Sequence, residues 1–181
     1  DGRVDVPEGL LRVCDDEPAH RVPRVVRVVE QGDPGGLAAE GIEGGIGIGI
    51  NNGYAPGAGV QEMSAVCSLA AGYGVPTYTH ISYMSNIDPD SSYQGYLRLI
   101  AHAAATGAHM HICHLNSTSL RDIERAVIAV KNAQDAGLKI TVEAYPYGAG
   151  STVIGAAMFL DPRFRERTGS DWSDIVVNAT G

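Results

Sequence analysis

The sequence predicts an α/β protein of successive parallel βα units, and three observations carry that reading. Strand-like runs begin near positions 45, 76, 108 and 138, so they recur every 30 to 32 residues. Segments with a helical 3.6-residue period fill the intervals, and a glycine (Gly74, Gly107, Gly137) stands where each helix should end. Strands spaced this way, each followed by a helix, imply parallel pairing through right-handed crossovers. Two architectures fit: an open doubly wound sheet, and an arc of a (β/α)8 barrel, whose eight units need about 250 residues.

Each element has its own warrant. In the first strand Ile46, Ile48 and Ile50 alternate with Gly45, Gly47 and Gly49, giving one bulky face and one face open to close approach. Residues 76–81, 108–114 and 138–144 are rich in side chains that suit a buried strand. Met63, Val66, Cys67 and Ala70 share one helical face, as do Tyr96, Leu99, Ile100 and Ala103, and then Leu120, Ile123, Val127 and Val130. Ser119 and Asp122 have the spacing of a capping box for the third helix. Residues 1–40 read as an irregular segment leading into the repeats, with 22–30 open to either strand or helix and a turn cluster at 32–36 before a short helix. Residues 41–181 hold the repeating units.

Composition narrows the function. A chain of 181 residues that is 44% hydrophobic and 19% charged can bury a core and is not a solvating tail. A net charge of −8 with lysine only at 131 and 139 argues against a surface that tracks nucleic-acid phosphates. Cys14, Cys67 and Cys113 lie far apart, which suits a reducing, cytoplasmic setting. There is no apolar run of membrane-spanning length, and residues 1–11 do not have the form of a secretion signal, so neither membrane nor export is expected. A start without methionine and a stop at Gly181 read as ends cut from something longer.

A phosphate-binding P-loop, H-E-x-x-H, G-x-S-x-G and G-x-G-x-x-G do not occur, so the glycine-rich first strand reads as packing. Histidine position is more informative. His80 and His114 end two neighbouring parallel strands at their C-terminal edge, where α/β folds place their sites. A neutral imidazole there can offer one nitrogen to a divalent metal, although two ligands leave a zinc site incomplete. Two buried histidines bonded to backbone are the plainer reading, and the matching positions favour ligation. His109 and His111 alternate with His114 along the strand, so they should face away from it and be structural, and Cys113 should be a small buried residue pointing away as well. His20 and His102 read as ordinary loop and helix residues. After the fourth strand, Tyr145-Pro146-Tyr147 and Gly148-Ala149-Gly150-Ser151-Thr152 put phenol and hydroxyl groups on a loop at the same edge. Such a loop can bind a carboxylate or an amide, and a rigid turn with buried aromatics fits it equally.

Four segments together resemble the N-acyl-D-amino-acid deacylases (D-aminoacylases) of the metal-dependent amidohydrolase superfamily. They are Gly44-Gly45-Ile46-Gly47-Ile48-Gly49 with Tyr54-Ala55-Pro56-Gly57-Ala58, then Tyr78-Thr79-His80-Ile81, then Ile112-Cys113-His114-Leu115, and Ala144-Tyr145-Pro146-Tyr147 with Ala149-Gly150-Ser151-Thr152. The resemblance implies a (β/α)8 TIM barrel of which this chain covers about strands four to seven. It also implies a zinc-dependent hydrolase of the amide bond in N-acyl-D-amino acids or a related amide, with a small-molecule substrate and a possible homo-oligomer. His80 and His114 match the family's metal-binding histidines, and Tyr147 and Ser151 match residues that contact the substrate's carboxylate or amide. The sequence departs from the family where a basic residue usually follows each metal histidine: Ser82 and Asn116 stand there. The family's strand-one His-x-His, its cysteine or lysine ligand and its catalytic aspartate have no counterpart, so the general base and remaining ligands are expected outside this chain. The alternative is a metal-free small-molecule binding module of open, flavodoxin-like fold.

Overall fold

A computed structural model describes residues 26–30, 45–55 and 57–177. The expected turn cluster at 32–36, the helix after it, and His20 lie outside the described residues. The strands β1 (Val26–Glu30), β2 (Gly45–Asn51), β3 (Thr77–His80), β4 (Met110–Ile112) and β5 (Ile140–Val142) form one sheet in that order. β2 to β5 are parallel. β1 is a strand, which resolves the open reading over 26–30, while 22–25 lie outside the described residues; it pairs antiparallel to β2 with an irregularity between Val29 and Glu30. β2 is therefore paired on both sides.

The helices α1 (Val60–Tyr73), α2 (Ser92–Thr106) and α4 (Ile123–Asp135) fill the crossovers, and the single turn α3 (Leu115–Thr118) follows β4. Period-2 geometry sends Ile48 and Ile50, Thr77 and Thr79, Met110 and Ile112, and Ile140 to one face. All are buried there, and the apolar ones join a single core with Met63, Cys67 and Ala70 of α1, Tyr96, Leu99 and Ala103 of α2, and Ala126, Val130 and Ala133 of α4. Each large side chain so buried contributes about 1.5–3 kcal/mol. The long helices thus lie on one face, and the strand order runs in sequence without reversal. A flavodoxin-like sheet needs a reversed order and helices on both faces, so that alternative does not describe these residues.

Gly74 and Gly107 end α1 and α2 in the left-handed conformation, as their positions predict. Two local expectations fail. Val127 is 45% exposed because α4 turns Ala126, Val130 and Ala133 inward, with small residues allowing close approach to α2. Ser119 forms no capping box: its hydroxyl donates to the Leu115 carbonyl inside the preceding turn, and α4 starts only at Ile123. The strands β4 and β5 are also shorter than the runs at 108–114 and 138–144, because the chain leaves the ladder after Ile112 and Val142 to build the loops at the strand ends.

Gly47 shows why β2 needs its glycines. A Cβ there would lie 2.5 Å from the Tyr78 ring and 2.6 Å from the Pro76 carbonyl oxygen, the acceptor for the Ile48 amide. Because backbone cannot yield as a side chain can, Gly47→Ala is expected to destabilise the chain by about 1–3 kcal/mol in urea unfolding. Gly155→Ala, where a Cβ meets nothing within 4 Å, should change stability by only a few tenths.

His102 adds a pH dependence. It is buried on α2, its Nδ1 3.2 Å from the Ser64 hydroxyl of α1, and burial, assisted by the Arg98 charge, lowers its pKa below the ordinary histidine value. The unfolded chain therefore binds the extra proton first as pH falls below about 6.5, and stability declines until the folded pKa is passed. His80 and His111, also lowered chiefly by burial, act in the same direction. The urea midpoint should thus fall between pH 7.5 and 5.5, and His102→Gln should reduce that fall; a midpoint that rises over this range would contradict the assignment.

Candidate metal centre

The C-terminal edge of the parallel strands gathers His80, His114, Glu143, Tyr54 and Tyr145. Tyr78 and His80 project from β3 to the face opposite the helices, where Tyr78 pairs in register with His111 of β4. Their rings lie 5.1 Å apart. Simple alternation would send His114 to the helix side with Met110 and Ile112. It does not go there, because His114 is left-handed (φ 60°, ψ 44°) at the start of α3. This turn brings its ring to the His80 side, with ring centroids 5.8 Å apart in an edge-on arrangement. The structure therefore brings the two sequence-predicted histidines together.

The same turn corrects an expectation: His109 and His111 lie on the sheet face that His114 reaches, not on the opposite one. Both contact the Thr141 hydroxyl, His109 Nε2 at 3.1 Å and His111 Nδ1 at 2.8 Å. Cys113 is half-buried, with its thiol pushed up to about 11 by burial and by the negative charge of Glu143.

Hydrogen bonding fixes which nitrogen each ring offers. His80 Nδ1 lies 2.9 Å from the Ile81 carbonyl oxygen, which can only accept, so Nδ1 carries the proton and Nε2 of the neutral ring keeps its lone pair. Burial, with the neighbouring His114, lowers the His80 pKa, although the Ile81 bond opposes this. Gly53 backs the ring closely: a Cβ there would lie 2.7 Å from the Ile81 oxygen and 2.9 Å from His80 Nδ1. On His114 the backbone N–H and Nδ1 both point to Glu143 Oε1, at 2.7 and 2.6 Å. One carboxylate oxygen thus holds both the left-handed turn and the ring it carries, again leaving Nε2 open.

Glu143 is the member of the site that sequence reasoning left without a role. Its signal was its place one residue past β5, level with the end of β4, where a carboxylate faces the neighbouring strand's last residues. Asn116 is a second: its side-chain amide donates to the Tyr145 carbonyl at 2.9 Å, tying the loop after β5 to α3. Tyr54, after β2, reaches the Thr152 hydroxyl at 2.8 Å, and its ring lies 5.2 Å from that of His80. Tyr145 sits 6.0 Å from the His114 ring and stacks on Tyr147 at 6.3 Å. Tyr147 is 73% exposed and Ser151 is exposed beside Thr152, so both stand at the rim, apart from the histidine pair.

Two open imidazole nitrogens on adjacent strands suit a divalent cation of the zinc type by donor chemistry. They are two donors of the three or four that such an ion takes, and among the described residues no group of three or more His, Cys, Asp or Glu side chains is arranged to hold a metal. Among the described residues, too, no helix is long and apolar enough to cross a membrane.

No protein-family model and no curated protein matches the chain. Among solved structures it is similar to N-acyl-D-glutamate deacylase from Bordetella bronchiseptica, complexed with zinc and a phosphonate mimic of the tetrahedral intermediate. That match has a TM-score of 0.43 and 17% identity over 50% of this chain and 19% of the other. It is also similar to D-aminoacylase in two structures, one a variant in complex with copper chloride. Each has a TM-score of 0.49 and 21% identity over 59% of this chain and 22% of the other. The matched region thus spans about a fifth of those proteins. Likeness at this level assigns no activity.

The tautomers are directly measurable. Long-range 1H–15N spectra at pH 8 should show both His80 and His114 protonated at Nδ1. Glu143→Ala should abolish that preference at His114 and leave His80 unchanged; a wild-type His114 protonated at Nε2 would contradict the Glu143 contact.

Proposed function

We propose that this chain is part of a metal-dependent amidohydrolase that cleaves the amide bond of N-acyl-D-amino acids or a related amide. The observation that carries the reading is the pair of imidazoles on adjacent strands, both with Nδ1 occupied and Nε2 open. Metal identity and substrate class follow the sequence resemblance, with zinc as the expected ion. The arc geometry supports a barrel wall: helices cover one face, and the Tyr54–Thr152 bond joins the loops after the first and last of four parallel strands. Three strand spacings of about 4.8 Å separate those strands along a flat sheet, so a bond between their loops fits a sheet that curves over the histidines.

In this reading His80 and His114 are metal ligands, and the cation they help hold supplies Lewis acidity toward the scissile carbonyl. Glu143 keeps His114 turned and in the correct tautomer, as a carboxylate behind a ligating histidine does elsewhere. Tyr147 and Ser151, at the rim, offer hydroxyls to the substrate's carboxylate or amide. The remaining ligands and the general base belong outside these 181 residues, so turnover is a property of the longer protein.

The test separates ligation from substrate contact. Zinc affinity of the chain should fall at least tenfold in His80→Ala and in His114→Ala. In the product of the whole reading frame, the same changes should abolish hydrolysis of N-acetyl-D-amino acids, while Ser151→Ala should keep bound zinc and raise KM. Unchanged zinc stoichiometry in His114→Ala would exclude the metal role.

A further inference from the structure

Behind the β2 and β3 strand ends lies a cavity of about 170 Å³ that neither His80 nor His114 lines. Its walls come from the loop after β2, residues 82–85 after β3, Arg98 of α2, and the segment 157–168. The charged residues lining it are Arg98, Arg167 and Asp161. Asp161 lies 3.5 Å from Arg167, whose guanidinium also donates to the Asp90 carbonyl at 3.2 Å, so this arginine is engaged in holding the segment in place. Arg98 donates one N–H to the Tyr83 hydroxyl at 2.7 Å. A guanidinium has five donors, so most of its fork remains for another acceptor. The lining thus carries one positive charge beyond its internal pair, in a chain whose net charge is −8. Ala157, Met158 and Phe164 supply apolar wall beside it.

We infer that this cavity binds a short-chain monocarboxylate, with the carboxylate on Arg98 and the alkyl tail against Met158 and Phe164. One spare positive charge matches a monoanion, and the planar guanidinium fork matches a carboxylate better than a compact cation would. The apolar wall favours an organic acid over an inorganic anion. The inference does not depend on the proposed hydrolysis, since binding is read without turnover.

The chain carries its own probe. Its single tryptophan, Trp172, stacks on Phe164 with ring centroids 4.6 Å apart, so occupancy of the cavity should be visible in its fluorescence. Acetate, propionate and butyrate are titrated at constant ionic strength, with inorganic phosphate as the comparison, and stoichiometry is taken from calorimetry. The expected result is one saturable site, tighter from acetate to butyrate, with phosphate at least tenfold weaker. Arg98→Gln should weaken butyrate at least tenfold, and Ala157→Leu, which fills the cavity and keeps the charge, should do the same, each with an unaltered circular dichroism spectrum. If Arg98→Gln does not fold, Ala157→Leu alone decides. His114→Ala should leave binding unchanged. Absence of saturation, phosphate binding as tight as butyrate, or full-strength binding by the filled-cavity variant would overturn the assignment.

Discussion

The left-handed backbone at His114, clamped by Glu143, is the constraint on which the candidate site depends. A non-glycine residue in that region costs on the order of 1–3 kcal/mol and persists where its surroundings hold it. Here one carboxylate oxygen takes both the backbone N–H and the ring Nδ1–H of the same residue, so the local cost is offset by two charge-assisted bonds. The turn reverses the face that strand alternation would give His114 and sets its ring beside His80. Without it, Glu143 and the two histidines would not share a face.

The sheet makes that clamp possible. Parallel register places Ile112 opposite Val142, so the chain leaves β4 and β5 at the same level and the first residues beyond each meet. The three long helices, on the other face, bury the Ile, Thr and Met row and leave the histidine face to the loops. Those loops are tied across the strand ends by Tyr54 to Thr152 and by Asn116 to Tyr145. A rigid apolar layer on one side and a polar, cross-linked rim on the other is the division of labour that lets side chains converge on one point.

Much of this was legible in the sequence. The glycine-punctuated repeat marked β2 to β5 and their helices, because parallel βα units impose both a period and a left-handed stop after each helix. His80 was legible because its place at the end of β3 follows from period alone. His114 was placed at the right edge although its face could not be read, since alternation holds only while the backbone stays extended and this backbone does not. Glu143 stayed silent for a related reason: its partner is set by register between strands, which no single segment encodes. The antiparallel pairing of β1 was invisible for the same cause, and Val127 misled because α4 buries alanines, whose small size hides the true inward face from an apolar pattern.

The proposed function has His80 and His114 ligate one metal through Nε2. Anomalous diffraction at the zinc edge from zinc-soaked crystals tests it most directly. The expected result is one strong peak about 2.0–2.1 Å from both Nε2 atoms, with Glu143 still on His114 Nδ1. A peak on His109 and His111 instead, or zinc bound to neither His80 nor His114, would contradict it.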